Sequence, residues 1–103
     1  MTDYILQLIQ AIKGLHGCKA TYVESVPVVE EFQGKVIWQG KVEVFNVNHR
    51  QAKRAYAWAH ADGKDGKGKK FVAVLELPPV NSPQTAVKAA IMSEIQNARK
   101  KQN

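Results

Sequence analysis

Along residues 35–47, KVIWQGKVEVFNV, Val36, Trp38, Val42 and Val44 fall on one parity with Gly40 between them. Gln39, Lys41 and Glu43 fall on the other. A period of two, rich in β-branched and aromatic residues, predicts a strand with one face on a core. At ~3.3 Å per residue the run would reach about 40 Å, long for a strand. Gly40 is therefore expected to mark a bend or bulge. Ile37, Phe45 and Val47 interrupt the polar parity, so the second face is expected to be partly covered as well.

On the N-terminal side, Thr2 and Asp3 offer an N-cap, and Ile5, Leu8, Ile9, Ile12 and Leu15 recur at helical spacing. Gly14 and Gly17 are candidate stops, which predicts a helix over residues 4–15. Residues 19–32 read as a strand carrying Pro27, which belongs at an edge or a bulge because proline cannot donate to a ladder. Gln33-Gly34 is a two-residue turn between this strand and the next, giving a long hairpin over 20–47.

Beyond a polar connection, residues 54–60 alternate strictly, with Ala55, Ala57 and Ala59 on one parity and Tyr56, Trp58 and His60 on the other. Helix competes here, because alanine is the best helix former. The alternation and the aromatic residues favour a strand. A loop of glycine, aspartate and lysine leads to a fourth strand over 71–77, ended by Pro78-Pro79. Ser82-Pro83 then opens a second helix, with serine capping and proline at a position that needs no N–H. Val87, Ala90, Ile91, Ile95 and Ala98 form its apolar stripe, and Arg99, Lys100 and Lys101 suit its C-terminal dipole.

The order α-β-β-β-β-α predicts a single α+β domain over 1–103. The expected architecture is a four-stranded antiparallel meander with the N- and C-terminal helices on one face. One sheet face is then left open. Tyr22, Trp38, Phe45, Tyr56, Trp58 and Phe71 supply more aromatic surface than a single covered face requires. A homo-oligomer is expected, most simply a two-fold dimer through a sheet face or edge. The alanine row belongs under a helix or at that interface.

An apolar share of 45% with 23% charged residues suits an ordinary globular core in 103 residues. The net charge of +6 is compatible with nucleic acid or acidic membranes. The basic residues are spread along the chain, however, and plain solubility accounts for them equally. The single cysteine, Cys18, excludes an internal disulfide and any cysteine-based zinc site within one chain. His16-x-Cys18 supplies two ligands where a site needs three or four, so no metal and no cofactor are expected. Asp3 precedes the first apolar run and Gln7, Gln10 and Lys13 interrupt it, unlike a secretory signal, and no stretch approaches the ~18 apolar residues of a membrane span. A cytoplasmic location follows as the default.

No nucleophile-elbow, Cys-His-Asn or Walker-type pattern is present, and GKDGKGKK lacks the spacing and terminal Ser/Thr of a phosphate loop. Trp38, Glu43, Tyr56, Trp58 and His60, on neighbouring strands, are expected to converge on one sheet face and to form a surface for a small ligand or protein partner. If His60 and Glu43 meet there, they are an acid–base pair and the protein is a small enzyme. Pairing of Glu43 with Arg54 or Lys53 is the more ordinary fate of that carboxylate. In the nucleic-acid alternative, Tyr56 and Trp58 stack bases, flanked by Lys53, Arg54, Lys64, Lys67, Lys69 and Lys70. Were residues 51–60 helical instead, Ala52-Lys53-Arg54-Ala55 resembles the last helix of a double-stranded-RNA-binding domain. The third strand and basic loop of that domain are missing.

The run SVPVVEEFQGKVIWQGKVEVFNV, together with AKRAYAWAH and FVAVLELPPVNSPQTAVKAAI, is similar to short α+β bacterial proteins of uncharacterised function, some carried in integron mobile gene cassettes. That resemblance implies no reaction and no catalytic residues. The sequence therefore points first to a small oligomeric binding protein, without requiring catalysis.

Overall fold

The computed structural model describes the backbone over residues 2–62 and 68–101, and side chains over 2–59 and 70–95. Six elements follow in order: α1 (Asp3–His16), β1 (Ala20–Phe32), β2 (Lys35–Val47), β3 (Arg54–Asp62), β4 (Gly68–Leu75) and α2 (Pro83–Lys101). The strands form one antiparallel meander, β1-β2-β3-β4, so residues 54–60 are strand. No helix among the described residues is long and apolar enough to cross a membrane.

Local chemistry sets the element ends. Thr2 accepts the Ile5 N–H at 3.3 Å, and Gly17, at φ 69°, closes α1 by donating its N–H to the Lys13 carbonyl. His16 hydrogen-bonds through Nε2 to the Ala73 carbonyl at 2.7 Å, fastening the C-terminal end of α1 to β4. At the start of α2, Ser82 Oγ accepts the Thr85 N–H while Thr85 Oγ1 accepts the Ser82 N–H. This is a reciprocal capping box with threonine in the place of the usual Glu or Gln. Gln33 and Gly34 both take positive φ, 52° and 79°. Such a turn matches the twist of the flanking strands.

The helices flank the sheet from opposite sides, whereas both were expected on one face. Ile5, Leu8 and Ile12 of α1 pack with Phe45, Ala55, Ala57 and Leu75. Ala86 and Val87 of α2 pack with Val42, Val44, Tyr56 and Trp58. Each inner strand therefore divides its alternating residues between two cores. Ala55 and Ala57 have no exposure at all, and their missing bulk lets α1 lie close to the sheet. The opposite parity, Tyr56 and Trp58, fills the wider space under α2 and is buried too.

Two irregularities interrupt the β1–β2 ladder. The register steps from Tyr22↔Phe45 to Glu24↔Val44, leaving Val23 as an extra residue in β1. It steps again from Glu30↔Trp38 to Glu31↔Val36, leaving Ile37 extra in β2. Gly40, expected to mark such a break, pairs regularly with Val28. Its function is steric: a Cβ there would stand 3.2 Å from Trp38 Cη2, so the glycine makes room for the indole.

Candidate functional site

The β2–β3 ladder is short. Only Glu43–Asn46 pair with Arg54–Ala57, although β2 begins at Lys35 and β3 runs on to Asp62. Beyond the Glu43–Ala57 pair the β1–β2 and β3–β4 hairpins diverge like a fork. On the α1 side, Tyr4 reaches into the fork and its hydroxyl accepts the Ala59 N–H at 3.0 Å. On the α2 side, Trp38 of one arm meets Trp58 of the other edge to face, with ring centroids 5.6 Å apart and planes at 69°.

Glu43 sits at the crotch of the fork with only 5% of its surface exposed. Tyr22 donates its hydroxyl to Oε1 at 3.2 Å and Ser25 donates to Oε2 at 3.0 Å. The bulge makes this possible. Residues three apart in a regular strand face opposite ways, and the extra Val23 turns Tyr22 and Ser25 to the same side. Tyr22 is braced edge-on against Phe45, with centroids 5.7 Å apart. Thr2, Tyr4, Ile5, Tyr22, Ser25, Lys41, Glu43 and Ala59 enclose an open cleft of about 600 Å³. Burial, and then the Glu43 charge, push the Tyr22 phenol up. Burial and Glu43 also raise Tyr4, against the lowering effect of the Ala59 N–H. Both phenols therefore keep their protons at neutral pH. Among the described residues Glu43 forms no ion pair, so the expected pairing with Arg54 or Lys53 is replaced by two hydroxyls.

The second irregularity shapes a different surface. The extra Ile37 lies beside α2 rather than on the far face, and with Phe32, Ile91, Met92 and Ile95 it lines an apolar hollow of about 550 Å³. Glu30, Glu31 and Lys88 border it. Phe32 is 62% exposed, Met92 55%, Ile37 49% and Ile95 43%. Gln84 holds α2 against β1 by donating to the Val29 carbonyl at 3.0 Å and to the Glu30 carboxylate. Lys88 lies 3.9 Å from Glu30.

The residues expected to converge are thus divided. Trp38, Tyr56 and Trp58 lie on the α2 face, and Glu43 lies on the α1 face. Tyr56 and Trp58 are sealed under α2 at 2% and 3% exposure, so they present no open aromatic surface to a partner or to nucleic-acid bases. Tyr56 donates to the Glu76 carboxylate, and burial followed by that carboxylate pushes its phenol up. The His60 side chain lies outside the described residues, as do Lys64, Lys67 and the Lys69 side chain. Lys53 and Arg54 are exposed at the start of β3. Lys70, 3.8 Å from Glu94, pairs with His60 roughly 20 Å further along the strand. The described basic residues therefore do not gather around one aromatic platform. No group of three or more metal-ligating side chains occurs among the described residues.

Sequence reasoning missed Tyr22 and Ser25 as partners of Glu43, and it missed the hollow. A regular register places Tyr22 and Ser25 on opposite faces, and Ile37 on the face away from Trp38. The apolar outlier at Ile37 and the adjacent apolar residues Tyr22 and Val23, which break the alternation, are the available signals. Comparison with protein-family models, curated proteins and solved structures finds no match for this chain. The functional reading rests on geometry alone.

Proposed function

We propose that the protein is a self-associating interaction module whose copies meet through the apolar hollow between the β1–β2 tip and α2. The observation carrying this is the exposure of Phe32, Ile37, Met92 and Ile95 around one concavity. Apolar residues grouped in this way on a small domain mark a contact surface, whereas scattered ones carry no meaning. It replaces the buried aromatic parity as the docking face.

A second copy fits this surface better than an unlike partner. Phe32 lines the hollow and is also its most exposed apolar side chain, so one patch offers both a ring to insert and a recess to receive it. A two-fold axis brings each patch against itself. The rim carries both signs, with Glu30 and Glu31 on β1 and Lys88, 57% exposed and already beside Glu30, on α2. A partner charged uniformly with either sign would be repelled along one side. The net charge of +6 opposes approach at long range, but at physiological salt it is screened beyond about 8 Å.

Light scattering over a concentration series tests the reading. The wild-type chain is expected at dimer mass, and F32E, which places a charge in the contact without touching either core, at monomer mass with its melting temperature kept. A monomeric wild type at high concentration, or an F32E variant still at dimer mass, overturns it.

A further inference from the structure

We infer that the cleft at Glu43 binds a small organic cation, a protonated amine with a hydrogen-bond acceptor or negative group at its far end. The site lies on the α1 face and is independent of the self-association surface on the α2 side. A carboxylate that is 95% covered usually has a cation beside it, or a full set of donors. Glu43 has two hydroxyl donors and, among the described residues, no cation. A carboxylate offers about four acceptor positions, and Tyr22 and Ser25 each occupy one. The remaining capacity adjoins a space of about 600 Å³, within the usual range for small-molecule sites.

The lining selects the ligand's class. Tyr22 and Ser25 already donate to the carboxylate, and Tyr4 Oη already accepts a backbone N–H. What the Glu43 carboxylate lacks, among the described residues, is a cation within ion-pair distance, since Lys41 borders the cleft without pairing with it. The aromatic rings of Tyr4 and Tyr22 in its wall favour an ammonium group over an anion. Lys41, two residues before Glu43 on the same face of β2, also borders the cleft and is exposed. Its charge disfavours a bare polycation and suits a ligand whose other end accepts hydrogen bonds. The tyrosines are rigidly braced, Tyr22 by Phe45 and Tyr4 by Ala59, so the cleft is organised before any ligand arrives.

The test uses butylamine, γ-aminobutyrate and butyrate as probes, titrated into the isotope-labelled chain and followed by the amide resonances of Tyr22, Ser25 and Glu43. Butylamine and γ-aminobutyrate are expected to give saturable shifts in the millimolar range, γ-aminobutyrate the more tightly, and butyrate none. Glu43→Gln keeps the shape and an acceptor for the hydroxyls but removes the charge, and is expected to weaken amine binding by roughly tenfold or more. F32E should bind the amines as the wild type does, which separates failure of this site from failure of the dimer. Butyrate binding as tightly as butylamine, or no saturation by any probe, overturns the inference in the wild-type protein alone. Unchanged amine affinity in Glu43→Gln overturns it as well.

Discussion

Trp38 and Trp58 meet edge to face across the point where two hairpins part company, although no ladder pair joins their strands at that level. The indole contact takes over where the β2–β3 pairing stops. It lies on the Gly40 backbone, which has no side chain to lift it away. Gly40→Ala is expected to push the Trp38 ring aside by a few tenths of an ångström or more, because the new Cβ would lie 3.2 Å from Cη2. An edge-to-face aromatic pair is worth about 0.5–1.5 kcal/mol beyond its burial. The aromatic circular dichroism should therefore change, with a small fall in melting temperature. An unchanged spectrum would show that the pair does not depend on Gly40.

The alanine parity of β3 makes a second expectation. Ala57 is wholly buried under α1. Replacing it by leucine adds bulk to a space that Ile5, Leu8 and Ile12 already fill, and overpacking of that kind costs about 1–3 kcal/mol. Urea denaturation of Ala57→Leu should show this loss. A neutral effect would mean that α1 moves freely on the sheet.

Much of the fold could be read from the order of residues because it is written in local chemistry. The Thr2 cap, the Gly17 stop, the Gln33-Gly34 turn and the Ser82-Pro83 start all act within a few residues of themselves. The side on which each helix lies is different, since it depends on which parity of β2 and β3 each helix meets. Phe45 against Val44, and Ala57 against Trp58, are both apolar alternations. Such a strand is buried on two sides, a reading that the outliers Ile37, Phe45 and Val47 already favoured. The sites were less legible for a related reason. A register of period two cannot locate the one extra residue that turns Tyr22 toward Glu43 or Ile37 toward α2.

Ser25 and Tyr22 should matter to stability through the carboxylate they serve. Removing one donor from a buried charged acceptor is unfavourable, so Ser25→Ala and Tyr22→Phe are each expected to lower stability. Because both hydroxyls hold one group, their effects should not add. A double-mutant cycle by chemical denaturation checks this, and strict additivity would show that the two bonds are independent.

Alkaline pH should weaken the fold through its tyrosines. Tyr56 is raised well above the ordinary value, by burial first and then by its bond to Glu76 and that group's charge, with Arg54 acting in the opposite sense. Tyr22 is raised by burial, Glu43 and Glu24. Tyr4 is raised by burial and Glu43, against the Ala59 N–H. An unfolded chain releases these protons near pH ~10 while the folded chain retains them. The stabilisation is therefore complete below that point and is lost as pH rises through the folded-state values. Urea midpoints should fall above pH ~10, and Tyr56→Phe should reduce the slope. Tyrosinate absorbance that developed at the free-tyrosine pH without unfolding would contradict this.

The fork has one further consequence. Both tryptophans of the chain stand on the same side of it, and Glu43 occupies the other side of its apex. The two arms share few rungs, so a ligand that wedged them apart from the Glu43 side would alter the angle between the indoles behind. Native emission thus becomes a gauge for a recess that neither ring touches, with no dye or label attached.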